Sequence, residues 1–389
     1  MSLFFDAPLI RRPHVRRLVL SDYRSYETLD LTVEGDLVAL VGENGAGKTN
    51  ILEALSLLTP GRGLRRADLA DCARENGSGG WAVSVELEDH DHCVQLGTGR
   101  EPSEGAQPQS RKCRIDRAPV GSARAFADHV RVVWLTPSMD GLFTGPAGDR
   151  RRFLDRLVLA VDAEHGSRVS ALEKALRNRN RLLEEHFSES TWLDAAEHEI
   201  AEIAVAVAAA RSETVSRLAG LIQEGRLKET PFPWADLALA GDLEAMIPDH
   251  PALEVEDRYR ALLRANRARD AAAGRTLIGP QAADLIVKHG PKNADAARSS
   301  TGEQKALLVG LVLAHARLVA SMTGLVPLVL LDEIAAHFDP LRRGALYEAL
   351  AELGAQVWMT GADPAAFLDL GREALLLRVS PGQISPTGA

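Results

Sequence analysis

The clearest chemistry in the sequence lies in a glycine-rich segment. It reads Gly42-Glu43-Asn44-Gly45-Ala46-Gly47-Lys48-Thr49, followed by Asn50, and fits the pattern Gly-x-x-x-x-Gly-Lys-Ser/Thr in full. An apolar, strand-like stretch precedes it and apolar residues at helical spacing follow, which is the context of a P-loop. The glycines let backbone N–H groups turn towards the β-phosphate of a nucleotide, and the helix N-terminus adds positive charge. We expect Lys48 to contact the β- and γ-phosphates of ATP and Thr49 to ligate Mg²⁺.

Two adjacent carboxylates end a second apolar stretch. Leu328-Val329-Leu330-Leu331 runs into Asp332 and Glu333, which is the Walker B arrangement of a buried strand with an acid pair at its end. We expect Asp332 to hold Mg²⁺, usually through water, and Glu333 to polarise the attacking water. A strand ending in Asp-Glu is common by itself. Its weight here comes from the complete P-loop in the same chain, and Glu333 and Lys48 are the expected catalytic residues.

A serine that opens a later predicted helix has two interpretations. Ser300 and Glu303 have the spacing of a capping box, which by itself predicts only a helix start. A helix N-terminus with a hydroxyl is also an anion site, so Ser300 and Gly302 could receive the γ-phosphate of a nucleotide bound to another subunit. One helix and a turn fit between Ser300 and Asp332. That order is the one expected of an ABC-type ATPase, in which nucleotide lies between two heads.

Two other residues are candidates for the nucleotide site. Asp339 follows Glu333 closely and is expected in the loop that crosses the dimer interface, although Asp339-Pro340 would also simply start the next helix. Thr360 ends a predicted strand, where ABC ATPases place a switch residue that is often histidine. The stretch 132–137 contains no glutamine for the loop that usually follows the antiparallel part.

The pattern of the remaining sequence predicts two domains. Strand-like and α/β patterns occupy the two ends of the chain, and an alanine-, leucine- and charge-rich pattern typical of helices fills the middle. We therefore expect an α/β fold: an ABC-type P-loop ATPase head with an antiparallel β part (residues 1–148 and 276–389) and an inserted compact helical lobe (149–275). The predicted head elements are strands Val15–Leu20, Asp36–Val41, Trp81–Glu86, Val130–Leu135, Leu285–Lys288, Pro327–Leu331 and Gln356–Thr360, and helices Asn50–Leu58, Glu303–Ala320 and Leu341–Leu353.

Composition sets wider limits. With 46% hydrophobic and 25% charged residues the chain has the composition of a globular protein, which excludes wholesale disorder. No apolar run is expected to reach the roughly 18 residues of a membrane span, and the N-terminus lacks the order of a secretory signal. We expect a cytoplasmic protein with no membrane partner. The net charge of −9 argues against a nucleic-acid partner, but arginines cluster. The candidates for DNA backbone contacts are Arg62, Arg65, Arg66, Arg150, Arg151 and Arg152.

Three stretches are similar to motifs of the RecF family of recombinational-repair ATPases, which are related to SMC proteins. They are Arg24-Ser25-Tyr26 with the P-loop segment Val41–Ala54, Pro137 and Gly145-Pro146 with Arg150–Asp155, and Leu331–Asp339. The sequence departs from the family pattern in three places. Residues 147–149 make the middle motif one residue longer than expected, Phe338 replaces leucine, and Gln281-Ala282 follow Gly279-Pro280 where the family has His-Arg.

The resemblance implies an ATP-dependent homodimer that binds DNA, either single-stranded or as a gapped duplex. It also implies action at gaps and stalled forks, with RecO and RecR as partners in loading recombinase, and a slow, DNA-dependent ATPase activity. Two alternatives remain open on the sequence: the ATPase subunit of an ABC transporter, and a scaffold that is switched by ATP without hydrolysing it. The middle region lacks the sustained heptads of an SMC arm, which favours a compact lobe.

Overall fold

A computed structural model describes residues 10–89, 92–102, 110–185, 190–226, 231–334, 338–371 and 374–386. The strands in chain order are β1 (His14–Tyr23), β2 (Tyr26–Thr32), β3 (Leu37–Val41), β4 (Trp81–Asp89), β5 (His92–Arg100), β6 (Lys112–Ile115), β7 (Ala118–Val120), β8 (Val132–Leu135), β9 (Ala235–Ala240), β10 (Asp284–His289), β11 (Ala294–Asp295), β12 (Leu328–Leu331), β13 (Val357–Gly361), β14 (Leu375–Ser380) and β15 (Gln383–Pro386). The α-helices are α1 (Lys48–Ser56), α2 (Ala147–Val161), α3 (His165–Glu184), α4 (Ser190–Gly225), α5 (Asp242–Met246), α6 (Ala252–Ala265), α7 (Arg267–Ala273), α8 (Thr301–Thr323) and α9 (Pro340–Leu353).

The chain forms two compact units, which are described separately. The head unit comprises the described residues of Met1–Asp140, Lys228–Pro233 and Ser300–Ala389, and the lobe unit those of Gly141–Leu227 and Trp234–Ser299. Each has its own buried core, as expected of separate domains.

The head unit contains two six-stranded sheets. One has the order β2-β1-β4-β5-β6-β7 with antiparallel pairing throughout, as the alternating pattern of Trp81–Glu86 predicted. The other has the order β15-β14-β3-β13-β12-β8. Four of its five pairings are parallel, and the edge strand β15 pairs antiparallel with β14. Strands β3, β8, β12 and β13 are buried along almost their whole length, which is typical of a parallel sheet covered on both faces.

Helix α8 corrects one expectation drawn from the sequence. Its 23 residues, with a mean hydropathy of 1.7 over 18 of them, are long and apolar enough to cross a membrane. The expectation that no apolar run reaches this length is therefore wrong for this helix. Two thirds of the apolar window is buried inside the structure, where α8 packs against β8 and α9. Helices that are apolar on all sides also occur in the cores of globular proteins, and the burial of α8 is that of such a core helix.

The lobe unit consists of helices α2–α7 and a small antiparallel sheet, β11-β10-β9. Its core is formed where α3 and α6 pack on the long helix α4, and it includes fully buried Ile200, Ala204 and Tyr259. Helix α4, with 36 residues, forms in the alanine-, leucine- and charge-rich middle of the sequence that was predicted to be helical. The lobe is thus mainly, but not entirely, helical.

The boundaries of these units differ from the predicted ones. The lobe unit begins at Gly141 rather than residue 149, and it continues to Ser299 rather than residue 275. The cause is strand β10, which the sequence pattern placed in the head. In the structure β10 pairs with β9, a strand that the helical pattern of the middle region did not predict. This pairing keeps 276–299 in the lobe unit.

Candidate nucleotide-binding site

The order of the parallel sheet brings the two nucleotide motifs of the head unit to one edge. Strand β13 lies between β3 and β12, and all three are parallel. Gly42 follows β3, Asp332 follows β12, and Thr360 lies near the end of β13. The crevice outside the carboxyl ends of parallel strands is where open α/β sheets bind ligands. The fold therefore places the P-loop, the acid pair and Thr360 where a nucleotide site is expected.

The P-loop needs glycine for its backbone shape. Gly45 and Gly47 have φ angles of 84° and 108°, in the left-handed region that L side chains rarely adopt. A Cβ at Gly47 would lie 2.7 Å from Ser25 Oγ and 2.9 Å from the Tyr26 hydroxyl oxygen. The buried Tyr26 hydroxyl donates a hydrogen bond to Gly47 O over 3.2 Å. Ser25 and Tyr26, which the sequence analysis did not assign to the site, thus support the loop from below.

Lys48 lies folded against its own loop. Its side chain is buried, and Nζ donates to the carbonyl oxygens of Gly42 (2.7 Å) and Glu43 (2.9 Å). Within the loop, residues 43–45 are exposed and 46–48 are buried. The ammonium is thus held close to the backbone that would surround a phosphate.

A chain of hydrogen bonds links the P-loop to the acid pair. Thr49 Oγ1 donates to Asp332 Oδ1 over 2.9 Å, and Thr360 Oγ1 donates to the same oxygen over 2.7 Å. The backbone N–H of Glu333 then donates to Thr360 Oγ1 over 2.9 Å. Asp332 and Thr360 are buried, so these contacts are shielded from competing water.

Glu333 has an unusual backbone. Its φ of 54° lies in the left-handed region, which is uncommon for a residue with a side chain. Such conformations cluster at functional sites because the surrounding structure must hold them. The contact from its N–H to Thr360 is one such restraint. Residues 335–337 of the acidic motif lie outside the described residues.

A network of polar side chains lies behind the P-loop helix. Asn50 Nδ2 donates to Ser25 Oγ (2.9 Å), and Arg65 donates to Asn50 Oδ1 (2.7 Å) and to the carboxylate of Glu53 (3.0 Å). The fully buried Glu53 also accepts two hydrogen bonds from Arg24, at 2.7 and 2.6 Å, and these raise the pKa of Arg24. Arg24 and Glu53 were missed as a pair because nothing in the sequence links residues so far apart.

Two of the three residues expected at a subunit interface, Ser300 and Asp339, cap helices within the chain. Ser300 and Glu303 form a complete capping box at the start of α8, with Ser300 exposed. Asp339 accepts a hydrogen bond from the Arg342 backbone over 3.0 Å and so caps α9. A Cβ at Gly302 would lie 3.9 Å from Arg342 Nη1, so the two helix starts are neighbours on the head.

The loop after β8 carries hydroxyl groups where a glutamine was sought. Asp332 N donates to Leu135 O over 2.9 Å, so this loop begins beside the acid pair. The next residue, Thr136, is buried, and its hydroxyl lies 2.8 Å from that of Ser138. The sequence alone could not rank these hydroxyls, because Ser and Thr are ordinary loop residues.

The arginines predicted to contact DNA differ in their surroundings. Arg65 donates hydrogen bonds to Glu53 and Asn50. Arg150 donates to both carboxylate oxygens of Asp284, at 2.8 and 2.7 Å, and to Gly145 O. Arg152 pairs with Asp149. A neighbouring carboxylate offsets the positive charge that a phosphate would meet, so these contacts disfavour Arg65, Arg150 and Arg152 as phosphate contacts. The assignment of all six arginines stays a prediction. Arg62 and Arg66 are exposed, and Arg151 donates to a backbone carbonyl, Ala283 O.

Comparison with known proteins finds relatives along nearly the whole chain. The family model described as RecF/RecN/SMC N terminal domain matches residues 14–370. The chain is 53% identical to the DNA replication and repair protein RecF of Mesorhizobium japonicum, covering 96% of this chain and 98% of that protein. It is 51% identical to the Rhizobium meliloti protein of the same name, with 96% and 100% covered. The chain belongs to the RecF family.

Solved RecF structures share its fold. The recombination mediator protein RecF-ATPrS in the RecFOR pathway superposes with a TM-score of 0.84 at 17% identity, covering 98% of this chain and all of that one. RecF-ATP of the same pathway gives 0.80 at 19% identity, with 97% and 100% covered. The fold class predicted from the motif order, a head with an antiparallel β part and an inserted lobe, is confirmed, as is the resemblance to the RecF family.

Proposed function

We propose that this RecF-family protein is an ATPase whose nucleotide cycle makes and breaks a DNA-binding homodimer. The observation that carries the proposal is the shared carboxylate oxygen. Oδ1 of Asp332 accepts hydrogen bonds from Thr49 of the P-loop and from Thr360 of β13. This link joins the P-loop residue expected to ligate Mg²⁺ to the Walker B acid, as a site that binds ATP with Mg²⁺ requires.

The same geometry fits Mg²⁺. Thr49 Oγ1 and Asp332 Oδ1 are 2.9 Å apart, and hydroxyl and carboxylate oxygens are the ligands that hard cations prefer. These two residues would hold the ion, which would neutralise phosphate charge. The P-loop backbone, with Lys48, would hold the ATP phosphates. Residues 42–50 therefore form the proposed nucleotide contact.

Hydrolysis is assigned to Glu333. Its left-handed backbone and the hydrogen bond from its N–H to Thr360 fix the start of the side chain beside the acid of the metal site. From there its carboxylate would accept a proton from the attacking water. Ser300 and Gly302 would meet the γ-phosphate of a nucleotide bound by the partner subunit, with Asp339 in the neighbouring interface loop.

DNA is the proposed partner because curated relatives that are about half identical are DNA replication and repair proteins. We infer a slow, DNA-dependent turnover in the cytoplasm that acts as a timer at single-stranded or gapped DNA, together with RecO and RecR. ATP would act by shifting the population towards the dimer. Arg62, Arg66 and Arg151 are the remaining candidates from the sequence for contacts to phosphates.

Sedimentation of a Glu333→Gln variant tests the proposal. The variant is expected to bind ATP, accumulate dimer, and hold a gapped duplex more tightly than without ATP. The control is Glu352→Gln, which changes a carboxylate with 64% exposure on α9 and should behave as wild type. A variant that stays monomeric at saturating ATP would contradict the dimer cycle. A wild-type protein that dimerises on ATP without hydrolysing it would favour the ATP-switched scaffold instead.

A further inference from the structure

The lobe unit contains a cavity with the chemistry of an anion site. Its volume is about 400 Å³, within the usual range for small-ligand sites. Helix α2, helix α3 and the segment after α7 enclose it. The lining residues are Arg151, Leu176, Asn180, Arg275, Thr276, Leu277, Gln281 and Ala282.

The cavity is positively charged in a protein that is negative overall. Two of its lining residues are arginines and none is acidic, although the chain has a net charge of −9. Arg151 differs from both of its neighbours, because Arg150 pairs with Asp284 and Arg152 with Asp149. Arg151 donates only to a backbone carbonyl among the described residues, over 2.7 Å.

Arg275 is the second uncompensated charge. It is exposed, and within the described part of the chain its guanidinium makes no ion pair or hydrogen bond. Arginine presents a planar fork that matches the oxygens of a phosphate. A pair of such groups at one cavity without a carboxylate favours an anion with several acceptor oxygens.

The floor of the cavity is held rigidly from beneath. Fully buried Arg179 donates to Asp270 (2.8 Å), to Glu197 (3.0 Å) and to the hydroxyl of Thr276 (2.8 Å). Asp270 also accepts from the backbone N–H of Leu277 over 3.1 Å. The segment that carries Arg275 is therefore fixed before any ligand arrives, which lowers the entropy cost of binding.

The polar side chains of the floor leave a donor for the ligand. The Thr276 hydroxyl donates to Asn180 Oδ1 over 2.8 Å, which fixes that amide and leaves its Nδ2 group to donate. Gln281 is turned towards the backbone, with Nε2 donating to Ile278 O over 2.6 Å. The site thus offers two guanidinium groups and one amide donor to an acceptor-only group.

We propose that this cavity binds a phosphate group of the DNA backbone through Arg151 and Arg275, an inference that rests on the proposed DNA-binding function. Gln281 and Ala282, which stand where the family pattern has His-Arg, line the same cavity. Arg151 and Arg275 give this cavity positive charge although positions 281 and 282 carry none. A basic side chain restored at 282 would add a third cation to the same site.

The test measures binding of a fluorescent gapped duplex against salt concentration for wild type and three variants. Arg275→Gln changes an exposed side chain that makes no hydrogen bond or ion pair with the described residues, so folding should persist, as thermal melting and ATP binding would verify. Its affinity should fall and the slope of log affinity against log salt should drop by about one, the loss of one phosphate contact. Ala282→Arg should tighten binding and steepen the slope. Arg217→Gln removes an exposed charge from α4 and is the control.

Each outcome decides between defined alternatives. Loss of affinity and slope in Arg275→Gln but not in Arg217→Gln supports the site. Equal behaviour of these two variants, with wild type binding DNA normally, overturns the site and leaves the proposed function intact. If wild type does not bind DNA at all, the proposed function fails first. Calorimetric titration with pyrophosphate separates the sources of the phosphate: a variant that loses pyrophosphate binding while DNA binding is unchanged identifies a free-phosphate site and overturns the DNA assignment.

Discussion

Thr360 donates a hydrogen bond to the same carboxylate oxygen of Asp332 that Thr49 uses, over 2.7 Å. Its own oxygen accepts from the backbone N–H of Glu333. One hydroxyl on β13 therefore orients both residues of the acid pair. Thr360, which was expected at the place of a switch residue, thus acts on the acid pair itself.

Loss of this hydroxyl should slow turnover more than it weakens nucleotide binding. Thr360→Val keeps the shape of the side chain but removes two hydrogen bonds, the one that the Glu333 N–H donates to Thr360 and the one that Thr360 donates to Asp332. A net loss of about 1 kcal/mol corresponds to a roughly fivefold lower hydrolysis rate. Steady-state hydrolysis and ATP binding should be compared with Thr360→Ser, which retains the hydroxyl. Wild-type turnover in the valine variant would show that Thr360 does not position Glu333.

Arg150 should stabilise the lobe rather than bind DNA. Its guanidinium donates to both oxygens of Asp284 and to Gly145 O, so Arg150→Ala removes several charge-assisted hydrogen bonds. Hydrogen bonds to charged groups contribute about 1.5–3 kcal/mol each to protein stability. We therefore expect a clear fall in the free energy of unfolding measured in urea. The salt slope of DNA binding should not change. A variant with normal stability but a shallower salt slope would restore the original DNA assignment.

Substitution of Arg179 should lower the stability of the protein more than substitution of any other arginine of helix α3. It is fully buried against Asp270 and Glu197, so its removal leaves buried Asp270 without an ion-pair partner among the described residues, whereas Glu197 keeps its pair with Arg267. Breaking a buried pair in this way costs about 3–5 kcal/mol. Arg177, on the same helix, is 70% exposed, and its change to alanine should alter stability by no more than about 0.5 kcal/mol. Comparable unfolding free energies for Arg179→Ala and Arg177→Ala would contradict the network.

Glu244 should make the lobe less stable as pH rises. Burial raises the pKa of its carboxyl group above the ordinary 4.5, and Arg211 opposes the shift from 3.8 Å. The native state then holds the proton more tightly than the unfolded chain, so this contribution to stability is present at low pH. It is lost as pH rises from 4.5 through the raised pKa. Glu244→Gln should flatten that decline in thermal melting, whereas Glu213→Gln, at an exposed site, should not. An unchanged pH profile in Glu244→Gln would exclude this role.

The sequence by itself determined the chemistry of the head. The P-loop pattern, the apolar strand before Asp332 and the capping box at Ser300 are local: each needs only neighbouring residues to be recognised, and each element formed where its periodicity predicted. The family followed from the same motifs because their order extends along nearly the whole chain.

Only the tertiary structure decided which distant groups meet. Strand β9 was not predicted because its six residues lie within the helix-rich middle of the sequence. Its pairing with β10 places the end of the lobe unit later in the chain than predicted. The three consecutive arginines look alike in sequence, yet Arg150 and Arg152 pair with Asp284 and Asp149. Arg151 has no carboxylate partner among the residues that the structure describes and donates to a backbone carbonyl. Thr360 gained its role from the strand order that places β13 between β3 and β12. Burial, ion pairing and strand order depend on residues far apart in the chain, so local pattern carries no information about them.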